Sequence, residues 1–206
     1  MSLYGRILLP WLLDKGCAFG PITGLRGLLV PRARGRVLEL GLGSGRNLAF
    51  YDPKKVRHVV GLDPLGPMRS RAEKAPRPAG LAVEVLPGLA EDLPFARASF
   101  DSVVCTFTLC SVDSTRRALA ESRRVLKPGG RLYFCEHGLA PDEGVARWQR
   151  RVEPLWRRLA GNCHLTRPVS PSIRASGLLL RRRQGLYLPW APRIGGWVEW
   201  GEAERP

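Results

Sequence analysis

Between Val37 and Gly45 the sequence reads Val-Leu-Glu-Leu-Gly-Leu-Gly-Ser-Gly. Glycines at every second position, Gly41, Gly43 and Gly45, let a backbone turn tightly and come into contact with a ligand. The spacing is Gly-x-Gly-x-Gly, not the Gly-x-Gly-x-x-Gly that seats a pyrophosphate on a helix N-terminus. Glu39 stands just before the loop, where a carboxylate repels pyrophosphate and attracts an ammonium or a sulfonium. Asp63, 18 residues beyond Gly45, offers a carboxylate that can accept hydrogen bonds from ribose hydroxyls. Together these residues favour S-adenosylmethionine over NAD.

Three further side chains have the chemistry of proton transfer or nucleophilic attack. His137 directly follows an apolar run, at the carboxyl edge where open α/β sheets place ligands. It is read either as a general base or as a histidine that caps the strand end by hydrogen bonding. His164, in Asn162-Cys163-His164-Leu165-Thr166-Arg167, either reaches the same cleft or anchors its own loop. Cys110 has the type of a covalent nucleophile, but no sequence neighbour identifies an activating base, which favours a buried thiol. The five cysteines (Cys17, Cys105, Cys110, Cys135 and Cys163) contain no Cys-x-x-Cys pair. Their spacing indicates neither a disulfide framework nor a zinc site.

Such residues need a frame, and the apolar pattern supplies one. Arg36–Leu40, Arg57–Leu62, Leu81–Leu86, Phe100–Thr106 and Gly130–Glu136 are short apolar runs ended by turn signals, and are expected to be strands. Helices are expected between them: one opening near Gly45, one over Pro67–Lys74, and one from an N-cap at Asp113 to about Leu126. The alternation predicts a parallel sheet covered on both faces. A long helical segment then precedes two more strand candidates, Gly177–Arg183 and Ile194–Trp200, close enough to pair as a hairpin. The expectation is α/β with an antiparallel end.

From about Gly35 onward the chain resembles the class I S-adenosylmethionine-dependent methyltransferases. The resemblance is carried by VLELGLGSG (37–45), VVGLDP (59–64), GLAEDLPF (88–95), SFDSVVCTFTLCSV (99–112) and RVLKPGGRLYF (124–134). VVCTFTLCSV, CEHG (135–138) and GNCHLTR (161–167) are similar to a narrower group, the microsomal methyltransferase-like proteins akin to alkyl-thiol S-methyltransferases and their small bacterial relatives. The resemblance implies a Rossmann-like seven-stranded, mostly parallel sheet with an antiparallel last strand. Helices would cover both faces, and a helical lid would be inserted after strand five. It also implies Glu39, Gly41, Gly43 and Gly45 around the methionyl part of S-adenosylmethionine, and Asp63 on the ribose. Pro64 and Met68 would lie close to the adenine, with Ala90 and Glu91 along its edge. Thr106 and Phe107 would sit below the cofactor at the substrate mouth. Many relatives carry Asp where this chain has Leu89, so an adenine contact falls to backbone or to Glu91.

The 206 residues suit one domain. Its expected parts are an N-terminal helical lid (1–35), a cofactor-binding core (36–140), a basic helical insertion (141–176) and a terminal hairpin (177–206). A composition of 44% hydrophobic and 25% charged residues excludes a disordered chain. No apolar run approaches the ~20 residues of a membrane span. The stretch Met1–Trp11 lacks a signal-peptide cleavage site, so a cytoplasmic location is expected.

A net charge of +15, from 28 Arg and 5 Lys against 18 Asp and Glu, raises nucleic acid and an anionic membrane as partners. Ten of the arginines, with only three acids, fall between Pro141 and Arg183. There Val145, Trp148, Val152, Leu155, Trp156 and Leu159 share one helical face, with Pro154 expected to kink or divide the helix. A basic amphipathic helix suits either an anionic membrane or a lid over the substrate mouth. Ile7–Leu13 supplies a second apolar surface for either role. Charge concentrated beside the acceptor mouth disfavours nucleic acid and leaves peripheral association with an anionic membrane open.

The expected function is methyl transfer to a small apolar acceptor, foremost a thiol, whose pKa near ~8.5 needs little help from a base. The alternatives are a phospholipid-amine or quinone-type methyltransferase at a membrane surface, and a non-catalytic nucleotide- or RNA-binding module. The intact set of Glu39, three glycines and Asp63 argues against the module.

Overall fold

Val37, Leu38 and Leu40 are wholly buried, because a central parallel strand has protein on both of its faces. The computed structural model describes residues 9–206. Its strands are β1 (Gly35–Leu40), β2 (Val56–Leu62), β3 (Ala82–Leu86), β4 (Phe100–Thr106), β5 (Leu126–His137), β6 (Leu179–Tyr187) and β7 (Trp197–Glu204). They form a seven-stranded sheet in the order β3-β2-β1-β4-β5-β7-β6. The first five strands pair in parallel, while β7 runs antiparallel between β5 and β6. The seven-stranded, mostly parallel fold with an antiparallel last strand is therefore present.

The helices are α1 (Leu9–Cys17), α2 (Gly20–Leu29), α3 (Gly66–Glu73), α4 (Thr115–Val125), α5 (Glu143–Leu159), α6 (Val169–Ala175) and α7 (Arg193–Gly196). Strand residues alternate between two apolar layers. Leu38, Val60, Val103 and Phe134 meet α4 and α6 on one face. Val37, Val59, Val104 and Cys135 meet α2 and Ala72 of α3 on the other. The period of two along each strand is what sends neighbours to opposite layers.

Three local expectations are corrected and a fourth is narrowed. The glycine loop opens no α-helix: only a 3₁₀ turn forms, at Leu48–Phe50. Gly45 has φ +79°, outside the helical region, and Asp52-Pro53 soon follows. The cap of α4 is Ser114, whose Oγ accepts from Arg117 N at 3.3 Å, while Asp113 accepts from Asn162 Nδ2 at 3.2 Å. The terminal strands pair as expected but lie further along the chain, with α7 between them. Finally, α5 is not divided at Pro154, one of the two outcomes expected there. Both Pro154 and Arg150 are exposed, so water can satisfy the carbonyl that proline leaves without a donor.

Gln149 anchors α5. It is buried, accepts from Ala140 N at 2.9 Å and donates to Gly138 O and Ile194 O at 3.2 Å. The predicted apolar face is split around it. Val145, Val152 and Trp156 are partly buried, whereas Trp148, Leu155 and Leu159 are exposed.

Arginines tie the loops to one another. The Arg124 guanidinium bonds Phe95 O and Leu93 O as well as Glu121, Arg167 bonds Leu109 O, Val112 O and Thr115 Oγ1, and Arg205 bonds Arg124 O and Leu126 O. Among the described residues no helix is long and apolar enough to cross a membrane. Of the apolar stretch Ile7–Leu13, Ile7 and Leu8 lie outside the described residues.

Candidate functional site

The order β2-β1-β4 reverses the direction of winding between β1 and β4, and open α/β sheets bind ligands at such a switch point. A cavity of about 460 Å³ lies there, at the carboxyl ends of the strands. That is within the usual range for a small-molecule site. Gly41 and Gly43 form its floor with φ of +63° and +58°, a region that a side chain rarely tolerates. A Cβ on Gly43 would meet only Gly41 O, at 3.9 Å. The loop therefore leaves open room above Gly43 for a ligand to approach, while the side chain of Thr108 packs against Gly41.

Asp63 ends β2 on the cavity wall. Its Oδ2 accepts from Gly43 N at 2.9 Å and its Oδ1 from Leu65 N at 2.8 Å. Burial raises its pKa against the pull of those two amides. Pro64, Met68, Ala90, Glu91, Thr106 and Phe107 also line the cavity. Glu91 Oε1 accepts from Asp113 N at 2.7 Å and Ser114 N at 3.2 Å, tying the β3–β4 connection to the start of α4. Phe107 has φ +54°, unusual for a bulky residue and a frequent feature of ligand sites.

Two predicted cofactor residues lie elsewhere. Gly45 faces Ala72 and Ala75 away from the cavity. Glu39 is buried beneath the loop, taking hydrogen bonds from Tyr51 Oη at 2.6 Å and Asn47 Nδ2 at 3.0 Å. Burial pushes its pKa up to about 7, against the pull of those bonds and of Arg26. Its neighbours carry the network into the cavity: Asn47 Nδ2 bonds Thr106 Oγ1 at 3.0 Å, and Arg26 Nε bonds Asn47 Oδ1 at 3.0 Å. Glu39 thus braces the floor of the site from below.

Neither predicted histidine is on the wall. His137 stacks edge-on against Phe107 with ring centroids 4.8 Å apart, behind the cavity surface. His164 pairs with Glu153 of α5 at 3.0 Å, and its amide donates to Cys110 O at 2.7 Å. It anchors its loop. Its pKa is lowered, chiefly by burial.

The comparisons with known proteins fit this geometry. A family model described as a methyltransferase domain matches residues 38–134, from β1 through most of β5. The thiol S-methyltransferase TMT1B of Homo sapiens is 40% identical over 185 residues, covering 84% of this chain and 72% of the relative. The chain belongs to the class I S-adenosylmethionine-dependent methyltransferases. It spans 66% of the Rattus norvegicus thiol S-methyltransferase TMT1B, with 35% identity and 80% of this chain aligned. The demethylmenaquinone methyltransferase of Thermobifida fusca is 33% identical over 68% of this chain and 61% of its own length. Among solved structures, an S-adenosylmethionine-dependent methyltransferase from Mesorhizobium loti superposes with a TM-score of 0.68 at 20% identity, covering 94% of this chain and all of that one. That likeness shows the shared fold.

The cavity also gathers residues outside the cofactor-loop motifs. Asp14 of α1 takes hydrogen bonds from Ser44 Oγ and, at 2.9 Å, from Arg46 Nε, so the N-terminal segment latches onto the glycine loop. Asp14, Arg26, Asn47 and Asn162 all line the cavity. Of these, Asn162 lies in the GNCHLTR stretch (161–167) already singled out, and Asn47 stands two residues after Gly45. Arg26 and Asp14 are far away in the chain and reach the site only through packing.

A second cluster adjoins the cavity near Phe107, Thr108 and Ser111. Glu136 is buried and accepts from Thr108 N at 3.0 Å, Cys110 N at 3.1 Å and Cys105 Sγ at 3.2 Å, fixing the loop after β4. Burial raises its pKa against those donors. Cys110 and Cys163 are both buried. Their sulfurs interact, which lowers the pKa of the Cys163 thiol and raises that of Cys110.

Proposed function

We propose that this chain transfers a methyl group from S-adenosylmethionine to a small thiol. The carrying observation is the 40% identity to a protein named a thiol S-methyltransferase, extending over 72% of that relative's length. When bound, S-adenosylmethionine supplies an electrophilic methyl group on a positively charged sulfur.

The residues present suit that cofactor. Gly41 and Gly43 offer backbone without side chains, and Asp63 has lone pairs left for ribose hydroxyls after serving its two amides. Ala90 and Glu91 flank the place for the base, with Pro64 and Met68 closing it. Phe107, Thr108 and Ser111, together with Asn162 from the loop after α5, form the acceptor end. Their task is alignment and exclusion of water, which together account for most of what such a displacement needs.

The state of the wall carboxylates supports a thiol acceptor. Asp14, Asp63, Glu91 and Asp113 each already accept hydrogen bonds from the protein. A thiol ionises readily near neutrality and asks little of a base, whereas a phenol or an ammonium asks more. Turnover of a small alkyl thiol is expected to exceed that of matched amines and phenols by at least about tenfold. A labelled-cofactor assay measures this, and equal turnover of the three would remove the thiol assignment.

A second reading rests on α5. Exposed Trp148 and Leu155 lie among Arg147, Arg150, Arg151, Arg157 and Arg158, the composition of a helix that rests on an anionic surface. The acceptor would then be a lipid-like amine or quinone, the latter in keeping with the demethylmenaquinone methyltransferase relative. The expected result is flotation with anionic but not zwitterionic vesicles at low salt. A chain that stays at the bottom of the gradient with both excludes membrane association through α5.

A further inference from the structure

We infer that Cys110, His137 and Cys163 form a binding site for a soft or borderline divalent cation of the Zn²⁺ class, beside the acceptor end of the cavity. The three residues come from three separate elements: the loop after β4, the end of β5 and the loop after α5. Their ligand atoms all lie within 4.8 Å of one another. The Cys163 Sγ to His137 Nδ1 distance is 3.6 Å. With Zn–S near 2.3 Å and Zn–N near 2.0–2.1 Å, a tetrahedral ion spans such a pair at about 3.5 Å. A sulfur–sulfur edge of such a site is about 3.8 Å by the same geometry. Two thiolates and an imidazole also form the donor set that zinc takes when a fourth position stays open for a ligand.

The arrangement is built rather than incidental. Cys110 is fixed at its amide by Glu136 and at its carbonyl by the His164 amide, at 3.1 and 2.7 Å. Asn162 Nδ2, next to Cys163, bonds Ser111 O at 3.1 Å, next to Cys110, so the two cysteine loops are stitched together on both sides of the sulfurs. Arg167 is a charged neighbour of both cysteines, and its guanidinium is turned to Leu109 O, Val112 O and Thr115. The buried Glu136 carboxylate supplies opposite charge close by. Phe107, Ser111 and Asn162, which flank the three ligands, all line the cavity, and His137 is partly exposed. An ion thus has a way in, and its fourth position adjoins the acceptor end.

Binding would leave both sulfurs as thiolates, the cation taking the place of any proton still held on the pair, which passes to solvent. No oxidation state changes. The inference stands on these three residues whether or not the acceptor is a thiol.

The test is a titration of the reduced full chain with Co²⁺ and then Zn²⁺ alone. Expected are tetrahedral d–d bands and a thiolate-to-cobalt charge-transfer band, both abolished by one equivalent of Zn²⁺. Cys110→Ser and Cys163→Ser should each weaken binding at least about 100-fold, while His58→Gln, in β2 and paired with Glu84 away from the ligands, should leave it unchanged. Should the serine variants fail to fold, the intact chain still answers. Zn²⁺ must protect Cys110 and Cys163, but not Cys17, from alkylation as read by peptide mass. Cobalt spectra without the charge-transfer band would overturn the site. So would alkylation unaffected by Zn²⁺, or a Cys110–Cys163 disulfide in a chain that binds no metal once reduced.

Discussion

Replacing Asp63 with alanine is expected to weaken S-adenosylmethionine binding by about 100-fold or more. The carboxylate ends β2 on the cavity wall and keeps its orientation through Gly43 N and Leu65 N. Each oxygen retains acceptor capacity for a ribose hydroxyl, and a hydrogen bond to a charged group contributes about 1.5–3 kcal/mol. A 100-fold loss corresponds to about 2.7 kcal/mol, so one to two such bonds account for it. Alanine also frees the Gly43 amide and lets the floor of the cavity relax. Asn at the same position keeps one acceptor oxygen and should fall between the two. Calorimetric titration with the cofactor checks this, with circular dichroism to show that the fold is retained. Unchanged affinity in Asp63→Ala would mean that the ribose is held elsewhere.

Glu39→Gln is expected to stabilise the free chain at pH 8 and to change little at pH 4.5. Burial raises the carboxyl from its ordinary 4.5 to about 7, so the folded chain holds a proton that the unfolded chain releases. Stability from this group is complete below about pH 4.5 and declines as pH rises through about 7. The loss at pH 8 is on the order of 3 kcal/mol. Glutamine keeps the acceptor for Asn47 and can donate to Tyr51 Oη, so the network survives without the titration. Urea denaturation of both chains at pH 4.5 and 8 measures the difference. Parallel pH slopes would show that Glu39 does not titrate in this range.

These two carboxylates show where the sequence was legible and where it was not. Asp63 was readable because its place follows from chain order alone: it directly follows the apolar strand that comes after the glycine loop. Glu39 was readable as a carboxylate beside the loop, but its direction was not. Its direction is set by Asn47 and Tyr51, and the alternation of β1 turns it to the face covered by α2.

The parallel strands were legible for the same physical reason that they are buried: near-continuous apolar runs between turn signals. The helix expected after Gly45 failed because a glycine chosen for a left-handed turn cannot start one. His137 and His164 had suitable chemistry, yet their surroundings are made by loops from distant parts of the chain. Cys110 and Cys163 are adjacent only through the fold, so a search for close pairs in sequence had no means of finding them.

Two groups of arginines will answer differently to salt. Those on α5 face water, and added electrolyte screens them within about 10 Å at 0.1 M. Arg124, Arg167 and Arg205 instead hold backbone carbonyls with planar forks at short range, and screening leaves those bonds in place. A lysine has no such fork. Rewriting every arginine as lysine would keep the +15 and the long-range field, and would unfasten the loops around the site.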